Sequence, residues 1–240
     1  ASGGAQALVK AQWWTLFGDA TLNQLVQAAS QDNSDIQIAL ARIRMTEALA
    51  VQAGAALYPT LNLTASGTRA TSGPSVSVTG VGVQANTSQV GLLTSYELDV
   101  WGRVRRNIES ATAVASASQY EKDSVSLTVA ALVSNLYLRL RSLDAQMAVL
   151  KDSVRTRTES VKVAEAKLQG GLVSPIDVNQ GKAALAASQA SLSEVTRQRA
   201  IAQNQLGVLT GKLDLMIPAG DVRQLPSPPL PPEGLPSTIV

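Results

Sequence analysis

The sequence contains no cysteine and no histidine. The first absence excludes disulfides, thiolate metal sites and thiol nucleophiles. The second removes the commonest general base and the commonest metal ligand. Aromatic residues make up 3% of the chain and charged residues 16%. So few rings cannot fill an aromatic-rich core, and the abundant Ala, Val, Leu, Ser and Gln suit helices packed through small side chains. The net charge is +2 and the pI about 9.0, a slight excess of Lys and Arg rather than a basic surface made for nucleic acid. No run of about 18 apolar residues occurs, so no membrane-spanning helix is expected. The opening "ASGGAQALVK" shows no signal-peptide pattern. No nucleophile–base pair and no ligand cluster is visible. "GVGVQAN" is Gly-rich but lacks the lysine of a phosphate-binding loop. Catalytic residues, metal ligands and cofactors are therefore expected to be none.

What is present is organised by its punctuation. "WWTLFGDATLNQLVQAASQ" carries Leu22, Leu25, Val26 and Ala29 on one helical face, with Asp19 as N-cap. "DNS" breaks it, and Ser34 begins a second helix with Gln37 in capping-box position. Ile36, Leu40 and Ile43 mark its buried face, and it should end before Tyr58-Pro59. From residue 60 the period changes from 3.6 to 2. Leu61, Leu63, Ala65 and Gly67 alternate with Thr60, Asn62, Thr64, Ser66 and Thr68. In "SQVGLLTSYELDVW", Val90, Leu92, Thr94, Tyr96, Leu98 and Val100 alternate with Gln89, Gly91, Ser95, Glu97 and Asp99. The Gly/Ser-rich stretch between them reads as a hairpin loop. Two strands are not a stable sheet by themselves and need partners.

From Arg103 to Gln169 there is neither Gly nor Pro. As one helix this stretch would span about 100 Å. Val125, Val129, Leu132, Leu136, Leu140, Leu143, Met147, Leu150, Val154, Val161 and Leu168 form an uncharged stripe, the seam of a long packed helix. Gly170-Gly171 supplies a left-handed C-cap. Ser174 then caps a return helix, with Pro175 at its first position and Asp177 in the capping-box place. Val178, Leu185, Leu192 and Leu206 give that helix its seam, and Gly211 follows it. The two helices make an antiparallel hairpin. The end, "PAGDVRQLPSPPLPPEGLPSTIV", is Pro-rich and reads as an extended linker.

A two-faced strand pair followed by a very long helical hairpin fits a β-barrel set on a helical tunnel. The even positions from Val90 to Val100 would face lipid, and Glu97 and Asp99 a wet lumen. Tyr58 and Trp101 flank the strands where an aromatic belt belongs. Arg103, Arg105 and Arg106 oppose the dipole of the helix they begin, so an external anion such as a lipid phosphate is expected beside them.

The stretches "WWTLFGDATLNQLV", "YPTLNLTASG", "YELDVWGRVRR", "LRLRSLDAQMAVL" and "GGLVSPIDVNQGKAAL" occur in the order of the TolC-like outer-membrane efflux proteins. The sequence resembles that family, and within it the lipoprotein branch serving resistance–nodulation–division pumps. Members carry two repeats, and three chains supply twelve strands; this sequence resembles the N-terminal repeat, and "GLPSTIV" the start of a second. The implied fold is mainly α, a long antiparallel coiled-coil hairpin with an inserted β-strand pair. Residues 1–57 would hold an equatorial helix and the first tunnel helix. Residues 58–101 would be the barrel hairpin, 102–210 the periplasmic hairpin, and 211–240 a linker. The resemblance implies a passive conduit in the outer membrane with a periplasmic extension. Its expected partners are a periplasmic adaptor, an inner-membrane pump, outer-membrane lipid and, at full length, two further copies. Gly170, Gly171, Leu172, Val173 and Ser174 would form the adaptor-binding tip, although the family usually has Val-Gly-Leu where this chain has Gly170. Asp177 matches an aspartate that restrains tunnel opening in the family. Tyr58, Trp101 and Arg103 would lie at the membrane interface. Two alternatives stand beside this reading. One is a soluble, self-assembling coiled-coil filament protein, for which strands of alternating face would have no purpose. The other is a hydrolase using scattered carboxylates.

Overall fold

A computed structural model describes residues 12–72, 83–221, 223 and 226. After a 3-10 turn at Trp13–Phe17 come α1 (Ala20–Asp32), α2 (Ser34–Ala55), β1 (Thr60–Ser72), β2 (Val83–Ser95), α3 (Arg103–Gln169) and α4 (Pro175–Leu209). Contacts divide the chain into two compact units. One comprises residues up to Leu40 and from Glu121 onward; the other is Ala41–Tyr120. This division cuts through α2 and α3, where the sequence pattern suggested boundaries at its punctuation.

The first unit holds the principal core. Asp19 caps α1 by accepting from the N–H groups of Thr21 and Leu22 at 2.7 and 3.1 Å. Leu22, Leu25, Val26 and Ala29 are buried against Val129, Val133, Tyr137, Leu140 and Leu143 of α3, with Ala202 and Leu206 of α4 and Ile217. The buried seam of α3 is thus not the whole expected stripe. Val133 and Tyr137 are fully buried, whereas Leu132 is 46% exposed.

The cap of α2 differs from the expectation. The helix begins at Ser34 as expected, but Asn33 caps it, its Oδ1 accepting from the N–H groups of Asp35 and Ile36. Gln37 donates back to the Gln31 carbonyl at 2.7 Å rather than completing a capping box. Asn33 has a second task that only folding reveals, because its Nδ2 donates to the carbonyl of Leu209 at the end of α4.

At the far end of α3 the helix closes as a Schellman motif. Leu172 N–H donates to Lys167 O at 2.8 Å and Gly171 N–H to Leu168 O at 2.9 Å. Gly171 takes φ +71°, the left-handed conformation a side chain would resist. The Pro-rich end is not wholly a solvated linker. After the turn at Gly211, Leu215 packs against the core and Ile217 is buried. The "GLPSTIV" stretch lies outside the described residues.

The second unit contains an antiparallel hairpin whose register runs from Thr60↔Ser95 to Ser72↔Val83. Each strand has 13 residues, enough to cross a bilayer when tilted. The loop joining them lies outside the described residues. β2 stops at Ser95, six residues short of Trp101, so the strand expected through Val100 is not formed there.

Candidate functional site

The hairpin register brings the two alternating patterns onto common faces. Leu61, Leu63 and Ala65 lie opposite Thr94, Leu92 and Val90. Asn62, Thr64 and Ser66 share the other face with Leu93, Gly91 and Gln89. One face is therefore apolar over two successive cross-strand pairs, Leu63–Leu92 and Ala65–Val90, and continues to Leu61, which lies opposite Thr94; the other is mostly polar. Leu61, Leu63, Val90 and Leu92 are all at least two-thirds exposed. Beyond this band the same face turns polar, where Arg69 donates to Gln84 Oε1 at 3.0 Å. At the hairpin's base Tyr58 and Trp101 are 71% and 91% exposed.

The segment between β2 and α3 corrects the reading of the acids. Glu97 and Asp99 are not strand residues; both turn onto the helix that follows. Arg103 forms a two-pronged pair with Glu97, at 3.0 and 2.6 Å. Asp99 accepts from the N–H groups of Val104 and Arg105 at 3.1 and 2.9 Å, and Arg105 reaches both its carboxylate and its carbonyl. Arg106 pairs with Glu109. The cations that opposed the helix dipole are thus neutralised by acids of this same chain, and no external anion is needed. Burial pushes the Asp99 carboxyl upward, but the two backbone donors and the Arg105 guanidinium outweigh it and hold it below the usual carboxylate range. Gly102, at φ +78°, lets the chain fold back so that Asp99 can reach the helix start. Leu98 and Val100 remain about 70% exposed, but on this turn rather than on a strand.

The hairpin tip is built as its sequence suggests. Ser174 Oγ accepts from Ile176 N–H at 3.2 Å, and Asp177 Oδ2 accepts from Ser174 N–H at 2.9 Å. Leu172 and Ile176 are 76% and 65% exposed, beside exposed Gly170, Gly171 and Ser174 and half-buried Val173. A side chain at Gly171 would meet open space but an unfavourable φ; one at Gly170 would make only ordinary contacts.

The family described as Outer membrane efflux protein matches residues 25–212. The chain belongs to this family. Pyoverdine export outer membrane protein OpmQ of Pseudomonas putida is 31% identical over 212 residues, covering 86% of this chain and 45% of its own. Toluene efflux pump outer membrane protein TtgC of the same species is 30% identical over 233 residues, 95% of this chain and 48% of its own. The solved Campylobacter jejuni CmeC outer membrane channel superimposes with a TM-score of 0.76 at 26% identity, covering 84% of this chain and 43% of that one. The chain thus spans about half the length of the relatives it matches. These relatives are named as export, efflux and channel proteins, not as enzymes.

Within this family frame the first unit also contains a polar cluster that the sequence patterns did not single out. Tyr137 donates its hydroxyl to Asp19 Oδ2 at 2.5 Å and accepts from Arg141 Nε at 2.9 Å. Arg141 and Arg199 both approach Asp144, at 3.4 and 2.6 Å. Burial, and then the bond to Asp19, raise the Tyr137 phenol above its ordinary value against the opposing pull of Arg141. The signal was present in "YLRLRSLD": Arg141 and Asp144 each follow a buried Leu, so they flank the seam. Among the described residues no group of acids is placed to hold a metal.

Proposed function

We propose that this chain is the N-terminal repeat of an outer-membrane efflux channel, a passive conduit completed by a second repeat and by further copies. The observation carrying this reading is the hairpin register, which gives a family member an apolar band of Leu61, Leu63, Ala65, Val90 and Leu92 on one face and a mostly polar opposite face. A barrel strand needs lipid contact on one side and water on the other. Tyr58 and Trp101 at the base suit the membrane–water boundary. No described helix is long and apolar enough to cross a membrane, which leaves the strands as the candidate spanning elements. Edge strands with unpaired backbone groups require neighbours, and copies of the same hairpin are the simplest source. The second repeat would supply further strands.

The energy source would be an inner-membrane pump, joined through a periplasmic adaptor. The exposed tip at Gly170–Ser174 is the proposed adaptor contact, and Asp177 the proposed restraint on opening. OpmQ and TtgC are named for pyoverdine and toluene, two unlike cargoes. That contrast supports a conduit whose selectivity lies elsewhere, with small toxic or exported compounds as cargo.

The test is conductance and export by the full-length protein. Purified protein in planar bilayers should form ion-conducting channels, and cells lacking their own channel should regain efflux. Leu172→Glu should lose efflux while the amount of protein in the outer membrane is unchanged, since Leu172 makes no core contact. Failure to conduct under any condition would overturn the conduit. Adaptor cross-links remote from residues 170–174 would overturn the tip assignment.

A further inference from the structure

We propose that Arg141, Asp144 and Arg199 form a clasp for the main chain of residues 217–220, and that the clasp fixes the course of the polypeptide across the first unit after α4. All three side chains bind backbone there. Arg199 Nη2 donates to Ile217 O at 2.8 Å, and Arg141 Nη1 donates to Pro218 O at 2.7 Å. Asp144 Oδ2 accepts from Gly220 N–H at 3.0 Å. Backbone recognition of this kind holds a path rather than a side-chain sequence.

Burial makes the clasp selective. The Asp144 side chain is 2% exposed, Arg141 10% and Arg199 18%. Charges so far from water survive only when paired and hydrogen-bonded. Here two carboxylates, Asp144 and Asp19, balance two guanidiniums, with Tyr137 carrying the connection from Asp19 to Arg141. Apolar residues would seal this junction as well, as Leu140 and Leu206 do nearby. Ionic groups add geometry, because guanidinium and carboxylate must meet at fixed angles.

Gly220 is the position that reports on the clasp. A Cβ there would lie 2.4 Å from Arg141 Nη1 and 2.8 Å from Cζ, so a larger residue would push the Arg141 guanidinium from its place beside the Pro218 carbonyl. The relatives are about twice as long as this chain. Whatever follows the clasp therefore starts from a determined place, and Arg141, Asp144 and Arg199 are positioning residues for it. The inference does not depend on the channel reading.

Hydrogen exchange on the full-length protein tests it, comparing residues 215–221 with α1 and α4. Gly220→Ala should speed exchange of 215–221 by roughly tenfold or more while the helices keep their protection. Pro218→Ala, which retains the carbonyl, should leave the segment protected. Asp144→Asn should also free the segment and lower the melting temperature, by roughly 10 °C. Wild-type exchange of 215–221 in Gly220→Ala would overturn the clasp. So would equal loosening by Pro218→Ala, which would make apolar packing the anchor. Loss of protection in α1 and α4 to the same degree as in the segment would make it ordinary core.

Discussion

At the scale of single residues, the most instructive is Asp99. Alternation along the chain groups it with the polar face of a strand. In three dimensions the strand has already ended, and the carboxylate answers a stronger local demand: the open N–H groups of a helix whose first turn is cationic. Its folded pKa is depressed, so its contribution is present above the unfolded value near ~3.9 and is lost as pH falls through the lower folded value. The amide signals of Val104 and Arg105 should therefore stay constant above the usual carboxylate range and titrate below it. Asp99→Asn should abolish that titration, and Asp99→Ala should in addition fray the first turn of α3, seen as faster exchange of the same two amides. A titration with an ordinary carboxylate midpoint would contradict the capping geometry.

At the scale of elements, two seams have different status. On the hairpin, Leu92 belongs to the apolar face and Gln89 to the polar face, three residues apart. In full-length protein in a bilayer, Leu92→Arg should cost about 2 to 4 kcal/mol if near the midplane, and Gln89→Arg much less. Equal tolerance, measured by denaturant unfolding in liposomes, would remove the lipid-facing assignment. On α3, Leu140 is fully buried and Leu132 is 46% exposed, although both fall on the same stripe of the sequence. Leu140→Ala should cost about 2 to 5 kcal/mol through lost burial and a cavity, whereas Leu132→Ala should stay within roughly 0.5 kcal/mol. Leu132, Leu136, Ile201, Val208 and Leu209 line one open apolar groove, so similar costs at both positions would mean that this groove is filled when the protein assembles.

At the scale of the whole molecule the question is Asp177. Its carboxylate caps α4 through Ser174 N–H, and that alone accounts for an acid there. The proposed gate makes a different forecast. Asp177→Asn removes the charge but keeps much of the hydrogen-bonding ability. Under the gating proposal, full-length assemblies carrying it should conduct more ions in planar bilayers with little change in thermal stability. Unchanged conductance in both Asp177→Asn and Asp177→Ala, with a stability loss on the order of 1 kcal/mol, would leave it an ordinary cap. The mass of the particle with and without detergent would show at the same time how many copies assemble.

Local rules written in the sequence determined the elements. The Gly- and Pro-free stretch from Arg103 to Gln169 coincides with the 67 residues of α3, because backbone propensity and caps act over a few neighbouring residues. The tip was legible for the same reason: Gly171, Ser174, Pro175 and Asp177 bond only to near neighbours in the chain. The two faces of the hairpin were legible because alternation has a period of two whatever the partner strand. Tertiary structure decided what each polar group does once several compete. Glu97 and Asp99 satisfy arginines and a helix start, Asn33 bridges to α4, and Asp144 gathers Arg141, Arg199 and Gly220 from positions up to 76 residues away. A carboxylate's spacing in the chain does not show whether water, a helix end or a distant guanidinium will neutralise it, because that choice depends on which groups packing brings within about 3 Å and shields from solvent.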